Sequence, residues 1–282
     1  MRKINKDYSD IPTSLIPAYG ELFERGLIHK TSRLTHQRRT EVIENGVYID
    51  ENKYNSRYKY DDVKKKLSSI YYDKCAFCEQ RIEQSHVEHY RPKKGKNKGT
   101  GQHHDGYHWL AFSWDNLLLS CPDCNTNKGT HFDITDTRVT FNASEDKIKG
   151  INTLSSSYDI TESPKMVNPE VTDPDGFIEF NREGKICSND DRFVYTIEKC
   201  NLDRDYLNDG RRKIFDDFEK KMKSKILKYA HSPDLLKSHL HDLISEYISD
   251  ANDLTKEYTA FRKYSISNGW LKTSLSAVMG NF

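Results

Sequence analysis

Four cysteines carry the clearest chemistry. Cys75-Ala76-Phe77-Cys78 and Cys121-Pro122-Asp123-Cys124 are two knuckles of identical C-x-x-C spacing. Each knuckle can present two thiolates to one ion, and two knuckles complete a tetrahedral zinc site. Such a site has no open position, so its role is structural. A lone C-x-x-C is equally a redox motif. Two of them bracketing a His-rich segment point to zinc. Six cysteines in 282 residues are too few for a disulfide scaffold. Cys187 and Cys200 fall in neither pair and are expected to be buried, small apolar side chains.

Between and beside the knuckles lie His86-Val87-Glu88-His89-Tyr90-Arg91-Pro92-Lys93 and Trp114-Asp115-Asn116-Leu117-Leu118-Leu119-Ser120, the latter running into Cys121 and on to Asn125-Thr126-Asn127-Lys128. An acidic-His pair, then Asn-Leu, then C-x-x-C-N-x-x-K is an ordered set that resembles the HNH, or ββα-metal, nuclease motif. The resemblance implies hydrolysis of phosphodiester bonds. That reaction needs an activated water, in-line geometry and stabilised charge on the phosphate. It assigns the general base to His89, whose imidazole titrates near neutral pH. It assigns the ligands of a catalytic Mg²⁺ or Mn²⁺ to Glu88 and Asn125, hard oxygen donors that leave room for water and substrate. Asn116 is then the loop-ordering residue, and Lys128 pairs with a phosphate. The family's commonest first ligand is Asp, so Glu88 departs from it by one methylene. His131 is an alternative last ligand. His86, two residues before Glu88 on the same strand face, is a further candidate ligand.

The linking stretch Tyr107-His108-Trp109-Leu110-Ala111-Phe112-Ser113-Trp114 is more particular than the general motif. With Val87–Lys93, Asn168-Pro169-Glu170 and Thr196-Ile197-Glu198-Lys199-Cys200-Asn201-Leu202, it is similar to the PtuB family, the HNH nuclease subunits of Septu-type anti-phage systems and their retron-associated relatives. This resemblance covers roughly residues 70–215. It implies a hetero-complex with an ABC/SMC-like ATPase of the PtuA type. No G-x-x-x-x-G-K-[ST] run occurs here, so nucleotide binding falls to that partner.

The fold expected to hold these residues is α+β: a zinc-stapled ββα-metal core, residues 71–187, flanked by an N-terminal helical arm, 1–70, and a C-terminal helical region, 188–282. In the arm, Ile11-Pro12 and Ile16-Pro17 mark breaks, and Leu22, Phe23 and Leu27 sit at helical spacing. Asp61 is placed to cap a helix through Val63, Leu67 and Ile70. Phe177–Phe180 and Lys185–Cys187 flank a turn in which Gly184 supplies a positive φ. Ile214, Phe218, Met222, Ile226 and Tyr229 form one helical stripe. Leu236, Leu240, Leu243 or Ile244 and Tyr247 form a second, and Leu254, Tyr258 and Phe261 a third. The terminal stripes serve either as internal core or as docking surface for a partner. Trp109 and Trp114 read as core in preference to base-stacking platforms.

Arg91, Lys93, Lys94, Lys96 and Lys98 put five positive charges into eight residues. Beside a nuclease strand such a run suits phosphate contacts that position without reading sequence. The whole chain carries a formal charge of only +1, so any nucleic-acid surface is local. Its 31% charged and 35% hydrophobic residues make a polar chain, and 17 Tyr and 12 Phe supply a core. The first residues lack an apolar stretch behind their charges, and no apolar run reaches the length of a membrane span. The expected location is therefore cytoplasmic. Three functional readings remain open: a DNA endonuclease, an RNase that cuts tRNA, and a zinc-knuckle binding or scaffold module without catalysis. The presence of His89, Glu88 and Asn125 together favours an enzyme, with DNA as the preferred substrate.

Overall fold

Helix α1, Asp61–Tyr71, forms where Val63, Leu67 and Tyr71 recur every four residues and make one buried face. Asp61 is the first helical residue and not the cap. Tyr60 holds the cap position without a side-chain bond. The second acidic residue is the one used: Asp62 accepts from the amide and hydroxyl of Ser14, both at 2.8 Å. The helix stops at Tyr72, whose left-handed φ of 55° lets its amide reach the carbonyls of Ser68 and Ser69.

The computed structural model describes residues 1–15, 56–95, 104–140 and 154–279. The Ile16-Pro17 break, the Leu22, Phe23 and Leu27 spacing, and Lys96 and Lys98 lie outside these residues.

Strands β1, His86–His89, and β2, Leu117–Ser120, pair antiparallel, with His86 opposite Ser120 and His89 opposite Leu117. Every residue of β2 is buried, and α1 packs on it. Helix α2, Pro122–Lys128, follows at once and packs against β1. Its cap is Cys121, whose sulfur accepts from the Cys124 amide at 3.4 Å, and Pro122 occupies the first turn where no amide is needed. The first residues of the chain lie against the same unit. Lys6, whose side chain is shielded from solvent, donates to the carbonyls of Trp114 (2.7 Å) and Leu117 (2.6 Å) and pairs with Glu170 at 3.2 Å.

Two short helices, α3 (Leu154–Ser157) and α4 (Asp159–Glu162), precede a hairpin of β3 (Glu179–Phe180) and β4 (Ile186–Cys187). Gly184 in its turn has φ of +80°, and a Cβ there would lie 2.2 Å from the Asn208 carbonyl oxygen, so both the turn and the packing require glycine. Cys187 is exposed, against expectation, because the period-two alternation of β4 turns Ile186 inward and Cys187 outward. Cys200 is buried as expected.

The rest is helical: α5 (Asp191–Lys199), α6 (Asp205–Tyr229), α7 (Pro233–Asn252), α8 (Thr259–Ser267) and α9 (Trp270–Met279). Phe218, Met222 and Ile226 of α6 meet Leu240, Leu243 and Tyr247 of α7 in one core. The third expected stripe is not one helix. Asp253 accepts from the Thr255 amide and hydroxyl and turns the chain, leaving Leu254 exposed and Tyr258 left-handed before α8 starts. The architecture is thus mixed α+β. Among the described residues no helix is long and apolar enough to cross a membrane.

Candidate active site and metal centre

The four cysteines come together. Their sulfurs all lie within 4.8 Å of one another and all four residues are buried. Cys78 and Cys121 sulfurs are 3.8 Å apart, which is about the edge of a tetrahedron built on Zn–S bonds of about 2.3 Å. The cluster could hold a zinc ion. Among the described residues it is the one group of three or more His, Cys, Asp or Glu donors close enough to share an ion. Local backbone dictates the knuckles: Cys75 N donates to Gln80 O at 2.9 Å, and Ala76 N donates to Leu119 O at 2.8 Å, which ties the first knuckle to β2. Arg204 was not anticipated. Its guanidinium donates to Cys124 Sγ at 3.5 Å and Cys121 Sγ at 3.7 Å. A cation there offsets the excess negative charge of four thiolates around a divalent ion.

Glu88, His89 and Asn125 meet at a second place, in a cleft of about 610 Å³ that His86, Lys93 and Lys94 also line. His89 Nε2 lies 2.9 Å from the Ala111 carbonyl oxygen. A carbonyl can only accept, so Nε2 carries the proton and the lone pair of the neutral ring is on Nδ1. Burial holds the His89 pKa well below the usual imidazole range, and Lys93 pushes it further down. The ring is therefore neutral near pH 7, the form a base requires. Tyr58, from the turn Ser56–Lys59, packs edge-on against it with centroids 4.5 Å apart.

Glu88 is reached from two sides. Lys128 Nζ donates to Oε1 at 2.6 Å, and the Asn125 amide donates to Oε2. Burial raises the Glu88 pKa, and the Lys128 charge opposes that rise. The donor set suits a hard divalent cation: one carboxylate and one amide whose oxygen is presented by a half-turn about its terminal bond. His86 is exposed on the strand face that Glu88 shares, whereas His131, beyond the end of α2, does not line the cleft.

Two residues do not sit where phosphates could reach them. Lys128 is fully buried behind Glu88, where Nζ also donates to the His89 carbonyl at 2.8 Å. Arg91 is fully buried as well. Its guanidinium donates to Glu162 (3.0 Å), Asp159 (2.7 Å) and Ser155 (3.2 Å). Lys93 is half-buried and Lys94 exposed, both at the cleft.

Asn116 explains how the loop between the strands keeps its shape. Its Oδ1 accepts from Arg91 N (2.8 Å) and Ser155 Oγ (3.0 Å), and its Nδ2 donates to the carbonyls of Arg91 (2.9 Å) and Leu110 (3.3 Å). Leu110 precedes Ala111, so the same amide steadies the carbonyl on which His89 rests. Trp109 and Trp114 are buried. Their indole N–H groups donate to Tyr158 Oη (3.3 Å) and Asp7 O (3.2 Å), so both are core.

No family model matches the chain. A Septu protein PtuB of Bacillus mycoides (strain KBAB4) is 30% identical over 251 residues, 77% of this chain and 80% of that protein. A Septu protein PtuB of Bacillus thuringiensis is 33% identical over 109 residues, 37% of this chain and 34% of that protein. The longer alignment takes in the cysteine cluster's neighbourhood and much beyond it at a level that chance does not produce, and the chain belongs to the Septu PtuB family.

Proposed function

We propose that the chain is a metal-dependent HNH endonuclease that hydrolyses phosphodiester bonds, with DNA as the favoured substrate. It acts as the nuclease subunit of an anti-phage complex with an ABC/SMC-like ATPase. The observation that carries this reading is a neutral imidazole, fixed through Nε2 on the Ala111 carbonyl, beside Glu88 and Asn125 in a lysine-lined cleft. The strand–strand–helix order of β1, β2 and α2 is the order that the nuclease motif requires, and PtuB kinship supports the defence role.

His89 Nδ1 takes the proton of a water molecule as that water's oxygen bonds to phosphorus and the P–O bond to the leaving oxygen breaks. Nε2–H stays on Ala111 O throughout, so the ring does not turn. Glu88 and Asn125 would hold Mg²⁺ or Mn²⁺. The bound ion supplies polarisation of the phosphoryl group and stabilises charge on the leaving oxygen. Lys128 acts behind them by orienting the Glu88 carboxylate. Lys93 and Lys94 contact flanking phosphates. The cysteine cluster holds structural zinc and fixes the start of α2, which carries Asn125.

The test is cleavage of plasmid DNA and of total tRNA by the full chain, with and without its ATPase partner, in Mg²⁺, Mn²⁺ and EDTA. DNA cutting by the wild type that needs metal and is absent from His89→Ala is expected. Undiminished cutting by His89→Ala, or no cutting of either substrate with the ATPase present, refutes the proposal. Cutting confined to tRNA would make the protein an RNase.

A further inference from the structure

The cleft has a contribution from outside the strand–helix unit. Tyr58, Lys59 and Lys64 line it, the first two from the turn Ser56–Lys59 and the third from the first turn of α1. The turn packs directly on β1. Counted with Lys93 and Lys94, the lining carries four lysines and one carboxylate, Glu88, which Lys128 already holds. A chain with 44 basic and 43 acidic residues has no general excess to place there. Among the described residues that line this cleft, lysines outnumber carboxylates.

Tyr58 gathers two of these lysines. Lys93 Nζ donates to Tyr58 Oη at 3.1 Å, Lys59 Nζ lies 5.4 Å from the ring centroid, and the same ring meets the His89 imidazole. One aromatic side chain thus joins two ammonium groups to the proposed base. A ring face attracts cations, which favours these positions.

We infer that Lys59 and Lys64, the first positioned by Tyr58, form a second bank of backbone-phosphate contacts for the nucleic-acid strand held in this cleft. The inference rests on the nuclease reading of the same site and extends it. The strand–helix unit supplies the reacting groups and Lys93 and Lys94. The turn before α1 and the first turn of α1 supply the grip on phosphates beyond the scissile one. Such contacts are indifferent to sequence and weaken with salt, because each phosphate neutralised releases bound counterions.

The test uses binding, not cleavage. The full-length His89→Ala protein is titrated with a fluorescent DNA oligonucleotide, single-stranded and as its duplex, across a salt series. The same is done for His89→Ala carrying Lys59→Gln and Lys64→Gln, and for His89→Ala carrying Lys223→Gln on the exposed face of α6. Losing two phosphate contacts should reduce the slope of log K against log salt by about 1.5–2, with affinity about tenfold or more weaker near 0.1 M salt. Lys223→Gln should leave both unchanged. Tyr58→Phe in the same background should lose part of the slope, since it removes the hydroxyl that holds Lys93. An unaltered slope in the Lys59/Lys64 variant, with the parent binding normally, overturns this inference and leaves the nuclease reading standing. A parent that binds no nucleic acid, alone or with the ATPase partner, defeats both.

Discussion

Lys128 Nζ lies 2.6 Å from Glu88 Oε1 and 2.8 Å from the His89 carbonyl oxygen, so one ammonium group on α2 satisfies two consecutive residues of β1. Both side chains of the ion pair are nearly or fully shielded from solvent. Removing one partner of such a pair leaves the other charged and uncompensated. Lys128→Ala should therefore lower unfolding free energy by about 3 kcal/mol, measured by urea titration. Adding Glu88→Gln should restore part of that loss. If the double substitution is no more stable than Lys128→Ala alone, the pair is not the source of the cost.

Asn116 makes four hydrogen bonds, three of them to the backbone of Arg91 and Leu110. Asn116→Ala should cost about 2–3 kcal/mol, the usual result of orphaning buried polar groups. Its effect on cleavage should exceed its effect on nucleic-acid affinity, because it loosens the carbonyl under His89 and not the lysines at the cleft. A variant that cuts at the wild-type rate at a temperature where it is folded would contradict this.

Cys75→Ser should release zinc and lower the melting temperature, read by metal analysis and thermal denaturation. Arg204→Met is the sharper case. It keeps all four thiolates but removes the cation beside Cys121 and Cys124. Loss of such a neighbour typically weakens metal affinity by about tenfold to about a hundredfold, measurable by competition with a chromogenic chelator. Wild-type zinc retention in Arg204→Met would mean the guanidinium serves packing alone.

His108 is buried, and burial lowers its pKa to about 4. Its folded value thus lies below its unfolded one, and the unfolded chain takes up a proton first as pH falls. Stability associated with the neutral ring is complete above about pH 6.5 and is lost progressively down to about pH 4. Between pH 7 and pH 5 the wild type should lose about 1–2 kcal/mol more than His108→Gln, with screening by solvent allowed for. Parallel pH profiles for the two proteins would exclude His108 as the titrating group.

Arg91→Met separates a structural arginine from a phosphate contact. Thermal stability should fall, because Glu162 loses its buried partner, while the salt slope of nucleic-acid binding stays at the wild-type value. A reduced slope in a folded variant would place Arg91 at the substrate after all.

The sequence is legible where chemistry forces both residue type and spacing. Two C-x-x-C pairs converge on one cluster, and the Glu88-His89 and Asn125 positions meet in one cleft, as groups proposed to share an ion or a substrate must. It is illegible where a charge changes role through a distant partner. Arg91 looks like the head of a basic run, yet Asp159 and Glu162, about seventy positions on, draw it inside. Lys128 looks available to phosphate until Glu88 is seen in front of it. Tyr58 and Lys59 carry no motif, so only the packing of their turn on β1 brings them to His89. The break after α7 had a local sign that periodicity hid: Asp253 followed by Thr255 is a pattern that closes a turn on its own side chain.

Arg204 stands immediately before α6, and Tyr206 in its first turn donates to Asp123 of α2 at 2.7 Å. The 25-residue helix is therefore pinned at one end to the cysteine cluster and runs about 37 Å from that pin. Mechanically it is a beam with one end tied to the cluster of four sulfurs. Beyond that end it is held by the α7 core through Phe218, Met222 and Ile226, so the cluster and the helical core are one continuous packed path that ends near Tyr229, where α6 hands over to α7.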